Sequence, residues 1–252
     1  MNSTGSKKTL LIFFGEFRTF SVIPQQLYHL DKVDVLISTW ENSYRTKKNV
    51  PSQKINLVKE LIPHAKLLLV KDTWGDDKTH NFRMWYHWMN ALNSIENEDE
   101  YDKVLLHRCD MISDWHVILE QVWESDKLYI SSAGTKEIDK LWINDYYLGG
   151  PFKPLKKFVN LFDGNNEQQS HFPIGNVLLK NNIIWEELSI QTLLVRPFAE
   201  DLFDSLNKNN IVFFEQLGSS KTHKKYIEIH NSNFPNHQID PKTWKENFVF
   251  RK

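Results

Sequence analysis

The feature that most constrains this chain is a series of short, unbroken apolar runs that alternate with helix-like segments. Leu10 to Phe14 contains no polar residue, so as a strand it must be covered on both faces. Val33 to Ser38, Lys66 to Val70, Lys103 to Leu106 and Leu128 to Ser131 repeat the pattern as strands two to five. Four segments of helical character lie between them. Ser21 to Leu30 carries Pro24 in its first turn, where a missing N–H costs nothing, and Ser52 to Ile62 is stopped by Pro63. Asn81 caps a longer helix in which Phe82, Trp85, Met89, Leu92 and Ile95 recur every three or four residues. A fourth helix spans about Asp114 to Trp123. This alternation predicts an α/β fold: a mostly parallel, Rossmann-like sheet flanked by helices and doubly wound by right-handed crossovers.

Beyond residue 131 the pattern is less regular. Trp142 to Tyr147 reads as a strand, and Lys153 to Phe162 as a helix with Pro154 near its start. Asp163 to Gln169 reads as a polar loop, Asn176 to Leu179 and Ile211 to Phe214 as short apolar runs, and Ala199 to Leu206 as a short helix. The basic stretch Ser219 to Lys225 reads as a mobile loop. No repeat or linker divides the chain, so one domain is expected over residues 1–252, with a regular half at 9–131 and an elaborated half at 132–252.

Composition removes several classes. A 40% hydrophobic content with nine Trp, eight Tyr and 16 Phe excludes a disordered tail, and nine Gly with nine Pro exclude collagen-like and low-complexity chains. The 31 Lys and Arg nearly cancel the 32 Asp and Glu, so no net field recruits nucleic acid or an acidic membrane. The single cysteine, Cys109, makes neither an intramolecular disulfide nor a Cys-x-x-Cys zinc site, which fits a reducing cytosol. Met1 to Lys8 is short and polar and does not read as a leader, and no stretch reaches the roughly 18 apolar residues of a membrane span. A soluble cytoplasmic protein is expected, in the host cytoplasm if the source is viral.

Familiar catalytic motifs are missing. No Gly-x-Gly-x-x-Gly follows the first strand, no Gly-Lys-Ser/Thr marks a P-loop, and neither a Gly-x-Ser-x-Gly elbow nor a His-Glu-x-x-His helix occurs. Open α/β sheets bind ligands outside the carboxyl ends of their strands, so the residues just after each apolar run carry the search. These are Gly15-Glu16-Phe17-Arg18-Thr19-Phe20, Thr39-Trp40-Glu41-Asn42 and His107-Arg108-Cys109-Asp110. Glycine permits close backbone approach, arginine matches phosphate oxygens, tryptophan offers a stacking face, and aspartate binds a hard cation or a hydroxyl. Together these types suit a nucleotide-diphosphate pocket. Arg83, in the first turn of the Asn81 helix, is a poor structural cation there and reads as a site for a bound anion.

Gly15-x-x-Arg18-Thr19-Phe20, Asp34-Val35-Leu36-Ile37-Ser38-Thr39-Trp40 and Tyr101-Asp102-Lys103-Val104-Leu105-Leu106-His107-Arg108-Cys109-Asp110-Met111 occur in that order. Asn144-Asp145-Tyr146-Tyr147-Leu148-Gly149-Gly150, His171-Phe172-Pro173 and Arg196-Pro197 follow. Over about residues 9–197 this series resembles the GT-A-fold glycosyltransferase-like proteins of bacterial lipopolysaccharide and capsule clusters and of large viruses. The resemblance implies a GT-A-like fold, with a nucleotide-sugar-binding half at 9–131 and an acceptor-side half at 132–252. It implies a hexosyltransferase-type enzyme of polysaccharide biosynthesis, with a nucleotide-sugar donor and a saccharide or glycan acceptor as partners. Gly15, Arg18, Trp40, Arg83, Arg108 and Asp110 would then bind the donor.

GT-A enzymes usually hold Mn²⁺ or Mg²⁺ on the diphosphate with an Asp-x-Asp motif. The matching triplet here is Arg108-Cys109-Asp110, so one carboxylate remains. Either Asp110 holds the ion with substrate phosphates and His230 as a second ligand, or Arg108 itself neutralises the diphosphate. Asp145 stands as the general base, or as a ligand of the acceptor sugar, or as a turn aspartate. A non-enzymatic carbohydrate-binding module and another nucleotide-dependent transferase are the alternative readings.

Overall fold

The alternation of side chains along the first strand, β1 (Lys8–Phe14), sorts the molecule into two cores. Leu10, Ile12 and Phe14 face one side and Leu11 and Phe13 the other, and all five are buried. In the computed structural model the described residues are 8–15, 33–43, 48–49, 59, 62–74, 78–109, 111–113, 115–131, 141–162, 172–188, 192–194 and 228. The expected helices at Ser21–Leu30 and Ala199–Leu206, the run Ile211–Phe214 and the loops Asp163–Gln169 and Ser219–Lys225 lie outside them, as does most of Ser52–Ile62.

The other strands are β2 (Asp34–Ser43), β3 (Lys48–Asn49), β4 (Lys66–Lys71), β5 (Tyr101–Arg108), β6 (Met111–Ser113), β7 (Leu128–Ile130), β8 (Tyr147–Gly150), β9 (Trp185–Glu187) and β10 (Thr192–Leu194). Eight form one sheet in the order β3-β2-β1-β5-β8-β7-β9, with β4 also paired to β2, and β6 pairs with β10 in a separate ribbon. Parallel pairing joins β4, β2, β1 and β5 in succession, and also β7 to β9. β8 runs antiparallel to both β5 and β7. The chain therefore builds outward from β1 through β2 to β4, then crosses back to lay β5 on the other flank of β1.

Among the described residues four α-helices cover the sheet: α1 (His80–Asn93), α2 (Trp115–Glu120), α3 (Phe152–Phe162) and α4 (Phe172–Lys180). One core joins Leu10, Ile12 and Phe14 to Met84, Trp88, Ala91 and Leu92 of α1, Phe158 and Phe162 of α3, and Val177 and Leu178 of α4. The opposite core joins Leu11, Phe13 and Leu105 to Ile118 of α2 and to Tyr129 and Tyr147. Each fully buried aliphatic or aromatic side chain contributes roughly 1.5–3 kcal/mol, so this two-sided burial dominates the stability of the fold.

Four expectations are corrected. The cap of α1 is Thr79, whose hydroxyl accepts from the Phe82 N–H at 3.2 Å, whereas Asn81 lies buried in the first turn. The strand expected at Trp142–Tyr147 begins only at Tyr147, so Gly149 and Gly150 sit inside a strand and form no turn. A Cβ on Gly149 would come within 2.6 Å of the Trp123 ring, which explains the glycine by packing. The second strand also runs on to Ser43, which places Trp40 within it. The stretch Asn176–Leu179 belongs to a helix, with Pro173 in the opening turn where proline is tolerated.

Candidate functional site

β2 and β4 lie on one flank of β1 and β5 on the other, so the carboxyl ends of β1 and β5 flank the point where the direction of winding reverses. That is where open α/β sheets form a crevice for ligands. Gly15 closes β1 with φ of +109°, a conformation that glycine alone adopts without strain, and nothing lies within 4 Å of where a Cβ would be. Its N–H donates to the Ser38 carbonyl at 3.1 Å, and the Thr39 hydroxyl donates to its carbonyl at 2.8 Å. On the other side of the reversal, the Cys109 N–H donates to the Phe14 carbonyl at 2.9 Å and carries β5 past the end of β1. The backbone around this crevice is thus pinned, and among the described residues nothing crowds the Cβ side of Gly15.

Arg108, the last residue of β5, reaches across to Asp145 with Nη1 at 3.0 Å from Oδ1. Its backbone N–H donates to the Tyr146 carbonyl at 3.2 Å, which fixes the segment bearing Asp145 beside the strand end. The other carboxylate oxygen of Asp145 lies 3.7 Å from Nε2 of His80, the first residue of α1. Asp145 is 3% exposed, Arg108 15% and His80 54%, so the carboxylate is buried between a largely buried guanidinium and an exposed imidazole. Three elements distant in sequence meet at one buried carboxylate. Sequence reasoning did not find His80; its only local signal is its place beside the capping threonine.

Other expected site residues are placed differently. Arg83 directs Nε to Asp72 Oδ2 at 3.0 Å and donates Nη1 to the Lys78 carbonyl, so it binds a buried carboxylate of its own chain. Trp40 is buried, with its ring centroid 4.1 Å from that of His87. Arg18, Asp110 and His230 lie outside the described residues. The metal expectation rests on Asp110 and His230, and among the described residues no group of three His, Cys, Asp or Glu side chains is placed to hold an ion. Both expected ligands fall outside the described residues, and among the strand-end residues that are described Arg108 already pairs its guanidinium with Asp145.

Two buried histidines stand behind the crevice. His107 Nδ1 donates to the Arg108 carbonyl at 2.9 Å, which leaves Nε2 to accept from the Ser113 hydroxyl at 2.7 Å. His87 pairs Nδ1 with the Ser38 hydroxyl at 2.8 Å, while its Nε2 is buried without a hydrogen bond. Burial pushes the His87 imidazole from 6.5 down to about 3, so it stays neutral in the fold. The unfolded chain takes up that proton below pH 6.5 and the folded chain does not, so stability is full above pH 6.5 and falls as the pH drops toward 3. Denaturant unfolding at pH 5 is expected to show about 2 kcal/mol less stability from this group than at pH 7.5, and His87→Gln to remove that increment. An equal pH dependence in the variant would contradict the assignment.

No family model matches the chain, and no curated protein matches it in sequence. Solved structures do resemble it. Three glycosyltransferases are among them. The apo form of the glycosyltransferase GlyE of Streptococcus pneumoniae TIGR4 is 16% identical, with a TM-score of 0.42 over 72% of this chain and 46% of that one. The bifunctional glycosyltransferase WbbM is 11% identical, with a TM-score of 0.43 over 92% of this chain and 46% of its own. A glycosyltransferase involved in glycosylation of the major capsid of PBCV-1 is 8% identical, with a TM-score of 0.40 over 71% and 81%. The chain spans about half the length of the first two proteins. Among the described residues no helix is long and apolar enough to cross a membrane.

Proposed function

We propose that this chain is a glycosyltransferase domain that moves a sugar from a nucleotide-diphosphate sugar to a hydroxyl of a saccharide acceptor. The observation that carries the reading is the site at the reversal of strand order, where Gly15, Arg108 and Asp145 converge on the carboxyl ends of β1 and β5. The open face of Gly15 admits a diphosphate close to the backbone, and Arg108 supplies positive charge beside it. Arg18 and Asp110, from the loops that follow the same two strands, complete the donor side of the proposal. Asp145 and His80 form the proton-accepting pair: the carboxylate orients the imidazole, and the imidazole faces the acceptor. As the acceptor oxygen bonds to the anomeric carbon, the bond from that carbon to the diphosphate breaks. The electron pair leaves on the phosphate oxygen, and the acceptor's proton passes to the pair.

The reading is tested by thermal denaturation with UDP-, GDP-, dTDP- and CMP-sugars, each with and without Mn²⁺. One nucleotide at 100-fold over its Kd is expected to stabilise the fold by about 2.7 kcal/mol. Metal-dependent stabilisation assigns charge neutralisation to Asp110, and metal-independent stabilisation assigns it to Arg108. Stabilisation by nucleoside triphosphates in preference to nucleotide sugars would favour another nucleotide-dependent transferase. Silence across the panel, with free glycans still bound, would leave a carbohydrate-binding module.

A further inference from the structure

We infer that Asp145 and the diphosphate of the donor compete for the Arg108 guanidinium, so that donor binding hands Asp145 over to His80. The inference rests on the transfer reading for the identity of the anion, and it sets the order in which the site is filled. Among the described residues, three charged or titratable side chains meet at this point and one of them, Asp145, is acidic. Arg108 Nη1, at the end of β5, lies 3.0 Å from Oδ1, and His80 Nε2, at the start of α1, lies 3.7 Å from Oδ2. At rest the guanidinium balances the carboxylate. Once His80 takes the acceptor's proton, two cations face one buried carboxylate, which balances only one of them. A diphosphate supplies the missing negative charge. With Arg108 drawn to the phosphate oxygens, Asp145 and the imidazolium form one balanced pair, and Arg108 and the diphosphate form the other.

The guanidinium stands where an anion at the strand ends reaches it. Arg108 is level with Phe14 in the pairing of β1 with β5, one residue short of Gly15. It is also more exposed than the carboxylate that it holds, so an arriving anion meets the cation first. Phosphate oxygens match the planar fork of a guanidinium as well as a carboxylate does. Drawing a cation off a buried carboxylate is costly when nothing replaces it. Here the replacement is in place, because Oδ2 already faces His80. By linkage the competition is reciprocal: the donor loosens Asp145 from Arg108, and Asp145 weakens the hold of Arg108 on the donor. An acceptor that binds first finds Asp145 neutralised, so transfer waits for the donor.

Isothermal titration of the full chain with inorganic pyrophosphate, in chelator-treated buffer, isolates the competition from the nucleotide and from metal. Asp145→Asn keeps the shape of the side chain and removes its charge, and it is expected to bind pyrophosphate about fivefold tighter than the wild type. A merely structural role for Asp145 predicts weaker binding. Simple repulsion between Asp145 and the anion predicts a gain that persists or grows in the Arg108→Gln background, whereas competition predicts one that shrinks there. In the wild type the Arg108 Nε–Hε resonance should move on saturation with pyrophosphate, a readout that needs no variant to fold. Unchanged or weaker binding by Asp145→Asn, a gain as large without Arg108, or a stationary Arg108 resonance overturns the inference. Absence of pyrophosphate binding in both proteins does the same. Tighter pyrophosphate binding by Asp145→Asn without any response to a nucleotide sugar would refute the transfer reading and keep the competition. Stabilisation by a nucleotide sugar with unchanged pyrophosphate binding in Asp145→Asn would keep the transfer reading and overturn the competition.

Discussion

Gly175→Ala is expected to destabilise the protein by about 3 kcal/mol or more, a large share of the roughly 5–15 kcal/mol that holds a domain folded. An exposed helix would gain about 1 kcal/mol from the same change, because alanine is the better helix former. Here the sign reverses. Gly175 is buried in α4, and a Cβ built on it would lie 1.8 Å from the Leu141 carbonyl oxygen and 2.6 Å from the carbonyl carbon. The obstacle is backbone, so no rotamer change relieves it, and α4 must move off the segment leading to Asp145. Gly149→Ala is the control. Its Cβ meets side-chain atoms of Trp123 and Leu105 at 2.6 and 2.9 Å, which can shift, so its cost should be smaller. Urea unfolding of both variants measures the difference. A Gly175→Ala protein as stable as the wild type would show that α4 does not pack on Leu141.

On the proposed transfer reading, Asp145→Asn is expected to lower sugar transfer by roughly 10²- to 10⁴-fold, the usual contribution of a positioned proton acceptor. Asparagine keeps the shape and loses the charge, so Arg108 at 3.0 Å is left beside a neutral amide and His80 loses its orienting carboxylate. Breaking a buried ion pair costs about 3–5 kcal/mol, and because Arg108 remains 15% exposed, water recovers part of that cost. Turnover is read with the nucleotide sugar selected by the thermal screen, and stability by unfolding of the same variant. A fold that is weakened while single-molecule turnover stays normal would make the ion pair structural and remove Asp145 from the chemistry. Loss of transfer with the donor still bound would place the defect at the chemical step.

The central sheet was legible because its strands are apolar on both faces. Leu10 to Phe14 and Lys103 to Leu106 leave no alternative to burial, and both fall within strands that pair with each other. The antiparallel β8 was less legible, since Tyr147–Gly150 is short and its glycines imitate a turn. Only the packing of Trp123 and Leu105 against Gly149 shows why glycine is needed there. The cap at Thr79 was misplaced by two residues because Thr79 and Asn81 are both good capping types, and backbone geometry chose between them.

Local sequence was sufficient to mark Gly15, Arg108 and Asp145 as candidates, since each follows or precedes an apolar run, and the fold brings Arg108 and Asp145 into contact. Sequence alone determined the periodicity of burial, the identity of the strand-end residues and the absence of familiar catalytic loops. Tertiary structure decided the partners. Arg83 has the type and helix position of an anion ligand, yet its guanidinium lies on Asp72, and Trp40 is buried against His87. His80 acquired its place only because α1 brings it to Asp145, 65 residues later in the chain. Ion pairs and ring contacts act over a few ångströms between residues tens of positions apart, so they are set by how the sheet winds and reverses, which no local pattern of residues encodes.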